Sequence, residues 1–301
     1  MDAAPLVIGI DIAAARPCVA VAVRCGRTLE VVEWREADER EPGDRGRLLD
    51  WVAGLAPAVV AVDAPQRPKR PLPGGGAHSR SCDAELLHRR ISVYQVPTRA
   101  EAEAKARRYA WMQTGWAYFK ELGRRGYEPP APGSLPGELG QAPAVLEVYP
   151  HAGFVTLLGG TPPPKSTREG LRLRVLTLRR LGLQWDDYYD HDSLDALMAA
   201  LTAWRFVQGR ATPLGDGRDG SIWLPVTAHE LRSKYAPLSV PAARAAFAAG
   251  MLSLAYLSRS SCAVTGSQME PSRPSPSGVA RPCTKRQAVN AAMRASSESW
   301  S

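Results

Sequence analysis

The stretch HDSLDALMAALTAW, residues 191–204, carries two aspartates, Asp192 and Asp195, into a run with no further charge before Arg205. Its apolar residues recur at helical spacing, with Leu194, Leu197, Leu201 and Trp204 on one side and Ala196, Ala199 and Ala203 beside the acids. A helix apolar on nearly all sides is a buried helix. The two aspartates stand at i and i+3 and therefore share a face. Ionised carboxylates removed from bulk water need compensation, which an arginine or a metal ion can supply.

Working outward, two more acids close short apolar runs: Asp11 follows VIGI (7–10) and Asp63 follows VVAV (59–62). Strand alternation puts Asp11 on the face of Val7 and Gly9, and Asp63 on the face of Val59 and Ala61. Both acidic faces carry small neighbours, so another element can pack close to the backbone there. Glu147, within AVLEVY (144–149), adds a third strand-borne carboxylate. For four or five converging acids a metal is a better account than a separate arginine for each.

The rest of the chain frames these acids. Leu6 to Ile10, Cys18 to Val23 and Leu29 to Trp34 are apolar runs with turn-sized gaps, the pattern of an antiparallel meander. A helix by period follows from Gly43 to Leu55, then a fourth strand from Val59 to Val62. A helix is expected from Arg99 through Leu122, a Pro- and Gly-rich loop from Arg124 to Pro143, and a fifth strand from Ala144 to Tyr149 stopped by Pro150. Helical segments are expected at 151–158, 166–181 and 192–208, with an edge strand at Ile222 to Leu224 closed by Pro225.

GIDIA (9–13), VDAP (62–65), EVYP (147–150) and DSLDALMAALTA (192–203) occur in that order, and together they resemble the family called domain of unknown function 429, predicted RNase H-like nucleases. SRSCDAEL, with Arg80 and Asp83 three apart, is similar to a further signature of that family. The acidic helix also resembles the last catalytic helix of RuvC-type Holliday-junction resolvases. These resemblances imply an α/β RNase H-like fold: a five-stranded mixed sheet flanked by helices, with a basic helical insertion after strand 4. They imply Asp11, Asp63, Asp192 and Asp195 as catalytic acids, and the same four with Glu147 as metal ligands. Glu147 matches the family's own motif and has no counterpart in the RuvC arrangement. The implied cofactor is Mg²⁺ or Mn²⁺, because two hard cations held by oxygen ligands activate a water and stabilise the leaving alkoxide in phosphodiester hydrolysis.

Composition agrees with this reading. The chain of 301 residues is 45% apolar and 23% charged, which excludes wholesale disorder, and its formal net charge is +8. Thirteen basic residues face five acids between Ala64 and Gly126, immediately after Asp63. Basic charge beside a cluster of acids suits a nucleic-acid backbone; Arg67, Lys69, Arg70, Arg80 and Asp83 are the candidate substrate contacts, although Arg80 and Asp83 also read as a simple ion pair. Gly74, Gly75 and Gly76 lack the Lys-Ser/Thr that would complete a phosphate loop. Tyr149 and Trp185 are weighed as base-stacking residues, with core placement the plainer reading.

The expected organisation is an RNase H-like domain over 1–230 with its insertion at 64–143, a C-terminal helix within 231–257, and a disordered basic Ser/Pro-rich tail over 258–301. Five scattered cysteines with no C-x-x-C pair, no secretory charge order at the N-terminus and no apolar run of membrane-spanning length point to a cytoplasmic protein without a membrane partner. Nucleic acid, DNA or RNA, is the expected partner. Two other functions compete with the nuclease: a non-catalytic nucleic-acid-binding module of the same fold, and an ATP-dependent phosphotransferase of the actin and sugar-kinase type. The second needs a Gly and a hydroxyl just after the strand-borne acid, where this chain has IAAARP (12–17).

Overall fold

The three apolar runs at the start of the chain form the expected meander: β1 (Leu6–Asp11), β2 (Cys18–Cys25) and β3 (Leu29–Ala37) pair antiparallel in turn. The structure is a computed structural model that describes residues 4–71, 78–131, 143–185 and 190–234. Helix α1 (Asp44–Leu55) carries the chain to β4 (Val59–Asp63), which runs parallel to β1 with Asp11 opposite Asp63. Three helices follow, α2 (Ser81–His88), α3 (Arg99–Ala104) and α4 (Ala106–Arg124), before β5 (Ala144–Val148) joins β4 in parallel. The remaining described elements are α5 (Pro150–Leu158), α6 (Arg168–Arg180), β6 (Leu183–Gln184), α7 (His191–Val207), β7 (Thr212–Gly217), β8 (Gly220–Leu224) and α8 (Ala228–Lys234).

The result is a mixed α/β fold with helices on both faces of one sheet. Among the described residues that sheet has eight strands in the order β6-β3-β2-β1-β4-β5-β8-β7, not the five expected. The five expected strands are all present and contiguous at its centre. The additions escaped the sequence for physical reasons. β6 is two residues long, and β7 is the sequence TPLGDG, whose proline and glycines disfavour a strand anywhere but at an edge. With β7 at the margin, β8 lies inside the sheet between β5 and β7 and is not the edge strand expected.

The helix expected from Arg99 through Leu122 is also broken, at Lys105, where φ is −129° and ψ is 47°. In one straight helix residues 102 and 113 would lie about 16 Å apart. Instead the Gln113 amide donates to the Ala102 carbonyl at 2.8 Å, so the chain must turn back on itself between them. The start of α3 is closed by Thr98, whose hydroxyl accepts from the Glu101 amide while the Glu101 carboxylate accepts from the Thr98 amide. Of the expected C-terminal helix only α8 is described, and the basic tail lies outside the described residues.

Alternation along the central strands sends their side chains into two of the three buried clusters. Val7, Val59, Ala61 and Leu146 face a layer built from α5, α6 and α7, whereas Ile8, Ile10, Val60 and Val62 face α1 and α4. Strands buried on both faces read as unbroken apolar runs, which is why these were legible. Helix α7 lies directly on β1 because Gly9 has no side chain. A Cβ there would stand 2.1 Å from the Ala196 carbonyl oxygen and 2.4 Å from the Ala200 nitrogen. Both are main-chain atoms and cannot rotate away, so Gly9→Ala is expected to cost at least about 3 kcal/mol of stability, measured as a lowered urea midpoint with an unchanged slope.

Candidate metal centre

Asp11 and Asp63 close neighbouring parallel strands in register, so their side chains leave the same face of the sheet side by side. The close seat of α7 on Gly9 brings Asp195 to the same place from above. The three carboxyl groups offer oxygens that all lie within 4.8 Å of one another. Asp11 and Asp195 are buried, and Asp63 is partly exposed. Asp11 Oδ2 is buried and accepts no hydrogen bond; its ion-pair partner, an Arg16 Nη2, stands 3.7 Å away. A buried oxygen without a donor, on a carboxyl that stands beside two others, fits a hard divalent cation.

The electrostatics follow from this crowding. Burial, then the charges of Asp63, Asp195 and Asp192, hold the Asp11 carboxyl well above the ordinary carboxylate range. Burial and Asp195 do the same to Asp63, opposed by Lys165. Asp195 is raised by burial, with Lys165 and Arg174 pulling the other way. Crowding and desolvation favour the neutral form of these carboxyls, and a positive charge beside them favours the ionised form.

Two cations sit against the acids, and sequence reasoning did not single out either. Lys165 Nζ donates to Asp195 Oδ2, and Arg16 donates to Asp192. Burial works against the Lys165 charge, yet Asp195, Asp11 and Asp63 outweigh it and raise the ammonium pKa. Lys165 is held there by its own loop. The Arg174 guanidinium donates to the Pro163 carbonyl at 2.9 Å, and a Cβ on Gly170 would fall 2.1 Å from the Pro164 oxygen. Arg16, five residues past Asp11, is a cation that the sequence places near the acids; Lys165 follows three prolines remote in sequence and carries no such signal.

The other expected site residues are placed differently. Asp192 stands at the start of α7, capped by Asp190, and its carboxylate is taken by Arg16 and His191. It lies beside the triad and not within it. Glu147 is opposite Val62 in the β4–β5 register, so it leaves the opposite face of the sheet from Asp63. There it meets Arg80: Nη2 donates to Glu147 Oε1 at 2.7 Å and Nη1 to Oε2 at 3.0 Å, and the Gln66 amide donates to the same Oε2 at 2.8 Å. Arg80 also grips Asp83, through Nε at 2.9 Å and Nη2 at 2.7 Å. All three side chains are essentially inaccessible, at 1–2% exposure. Burial raises the Glu147 pKa while Arg80 and the Gln66 amide lower it. The structure thus brings Glu147, Arg80 and Asp83 together with one another.

Of the remaining expected substrate contacts, Arg67 and Arg70 are exposed, with Arg70 Nε 3.3 Å from Asp219 Oδ1. Lys69 is buried between the His78 carbonyl and Glu101, at 3.4 Å from each. Trp185 is a core residue with Arg179 above its ring, while Tyr149 lines the cleft over the acids. Gly74, Gly75 and Gly76 lie outside the described residues. No helix among the described residues is long and apolar enough to cross a membrane.

Fold and site together define a mixed α/β protein with a carboxylate triad at the ends of two adjacent parallel strands, completed by an acid from a buried helix. The chain belongs to the family described as protein of unknown function (DUF429), whose profile matches residues 9–219. Among solved structures it is similar to RuvC of Thermus thermophilus, at 17% identity over 65% of this chain and 90% of that one, with a TM-score of 0.32. The T. thermophilus RuvC complex with a Holliday junction substrate is similar at 16% identity, the same coverages and a TM-score of 0.31. No curated protein matches the sequence.

Two expectations follow from these charges. The folded chain holds the protons of Asp11, Asp63 and Asp195 to higher pH than the unfolded chain, whose carboxyls titrate near 3.8. Stability of the metal-free protein therefore falls as pH rises from there through the raised values. Asp11→Asn should raise the metal-free melting temperature at pH 8, by the equivalent of about 1–2 kcal/mol, and shrink both the pH dependence and the stabilisation by added Mg²⁺ or Mn²⁺. A lower melting temperature for Asp11→Asn would contradict the crowding. Glu147→Ala, by contrast, strands half of the Arg80 charge in the interior and should cost about 3–5 kcal/mol in urea denaturation.

Proposed function

We propose that this protein is a divalent-metal-dependent nuclease of RNase H-like fold that hydrolyses phosphodiester bonds in DNA or RNA. The observation that carries the reading is the group of Asp11, Asp63 and Asp195, in which Asp11 keeps a buried oxygen without a hydrogen-bond donor. The central strand order β3-β2-β1-β4-β5, three strands antiparallel and the last two parallel to β1 or its neighbour, supports the fold assignment, with β6, β7 and β8 as additions. Asp11, Asp63 and Asp195 would hold Mg²⁺ or Mn²⁺, with Asp192 at the margin; the bound metal would supply water activation and stabilisation of the leaving oxygen. Around that point the chain's own groups are suited to a phosphodiester. Lys165 and Arg16 place an ammonium and a guanidinium beside the acids, where the non-bridging oxygens of a phosphodiester need neutralising. Glu147, through the Gln66 amide, anchors the loop that leaves Asp63 and so positions that acid.

The decisive measurement is hydrolysis of labelled single-stranded, duplex, hybrid and branched nucleic acids with Mg²⁺ or Mn²⁺. At least one substrate is expected to be cut, and Asp11→Asn and Asp195→Asn should each reduce the rate by about a hundredfold or more. Cleavage that survives both substitutions belongs to a contaminant. No cleavage, together with no calorimetric binding of either metal, would overturn the reading in favour of a non-catalytic binding role.

A further inference from the structure

The cleft over the acids has a volume of about 1050 Å³, just above the roughly 300–1,000 Å³ typical of sites that enclose a small organic ligand. One wall holds Asp11, Asp63, Asp195 and Lys165; another comes from the insertion, with Val93, Tyr94, Val96, Arg107 and Trp111. Tyr94 is 69% exposed, the most exposed large apolar side chain of those described. Its ring is nevertheless braced. It meets Trp111 edge to face, with ring centroids 5.8 Å apart and planes at 70°, and Trp111 in turn packs against the buried cluster beneath the sheet. Tyr149 connects the two walls: its hydroxyl donates to the Ser92 carbonyl at 3.0 Å, two residues before Tyr94, and it lines the same cleft as Asp63 and Asp195.

We infer that Tyr94 is a stacking platform for one unpaired nucleobase next to the scissile phosphate, so that the substrate is single-stranded nucleic acid or an unpaired nucleotide at a loop or branch. This inference rests on the nuclease reading of the same cleft and specifies its substrate. Three features carry it. A braced, exposed aromatic ring stacks on a flat partner with little loss of side-chain freedom, and any base offers such a face. A base inside a regular duplex has both faces covered, whereas an unstacked one leaves a face free for the ring. Arg107, exposed on the first turn of α4 in the same wall, supplies a cation for the adjoining backbone phosphate.

The test uses the full-length protein and an oligonucleotide carrying a single 2-aminopurine, either single-stranded or fully paired, with binding measured in EDTA so that no hydrolysis intervenes. Wild type is expected to bind the single strand at least about tenfold more tightly than the duplex and to quench the 2-aminopurine emission. Tyr94→Ala should lose both the quench and about tenfold in affinity, the range for one base–aromatic stack, and Tyr94→Phe should keep both. Equal affinity for single strand and duplex, or an unchanged quench in Tyr94→Ala, would overturn the platform. Hydrolysis of the same oligonucleotides with Mg²⁺ separates this inference from the reading beneath it. Cleavage that needs Asp11 but is indifferent to Tyr94 overturns the platform alone. Stacking that depends on Tyr94 without any cleavage supports the platform and overturns the nuclease. Neither binding nor cleavage overturns both.

Discussion

The contact of α7 with β1 at Gly9 is the constraint on which the rest of the molecule depends. Main-chain atoms of Ala196 and Ala200 occupy the space where any other residue would carry its Cβ. That approach fixes the height of α7 above the sheet, and the alanines along the contacting side let the helix lie flat. Asp195, one residue before Ala196, is carried down to the level of Asp11 and Asp63 as a consequence. Fold stability and site geometry are therefore set by the same pair of surfaces.

A second constraint operates on the opposite face of the sheet. Arg80, at the start of α2, is held by both Asp83 and Glu147 in the interior, and Glu147 also receives the Gln66 amide. Buried ion pairs seldom add much net stability, because desolvation offsets most of the attraction. What this one provides is connection: it joins α2, the strand β5 and the loop leaving Asp63 at a single point. The insertion that carries Tyr94, Trp111 and the basic residues is thereby tied to the sheet that carries the acids.

The triad is crowded in a way that folding alone does not explain. Its carboxyls crowd one another and draw in Lys165, while one Asp11 oxygen is left without a donor. The cleft sets Asp11, Asp63 and Asp195 with Lys165 and Arg16 on one side, and Arg107 on the insertion side. The net charge of +8 is likewise uneven along the chain: thirteen basic residues and five acids fall between Ala64 and Gly126.

The sequence by itself determined the five central strands, the acids at their ends and the buried acidic helix. Each of these is written in local periodicity, and the interruption of an apolar run by a carboxylate is visible wherever it occurs. Partnership was decided by the tertiary structure. Asp63 and Glu147 look alike as acids near strand ends, but the β4–β5 register sets Glu147 beside Val62, so alternation sends the two to opposite faces. Asp192 and Asp195 look alike on one helix, yet only Asp195 reaches the triad, while Arg16 takes Asp192. Lys165 and Tyr94 arrive on loops whose paths no period encodes. Alternation and helical spacing are properties of a single segment, whereas register, helix height and loop path are set by which surfaces meet, and that is settled only when the whole core is packed.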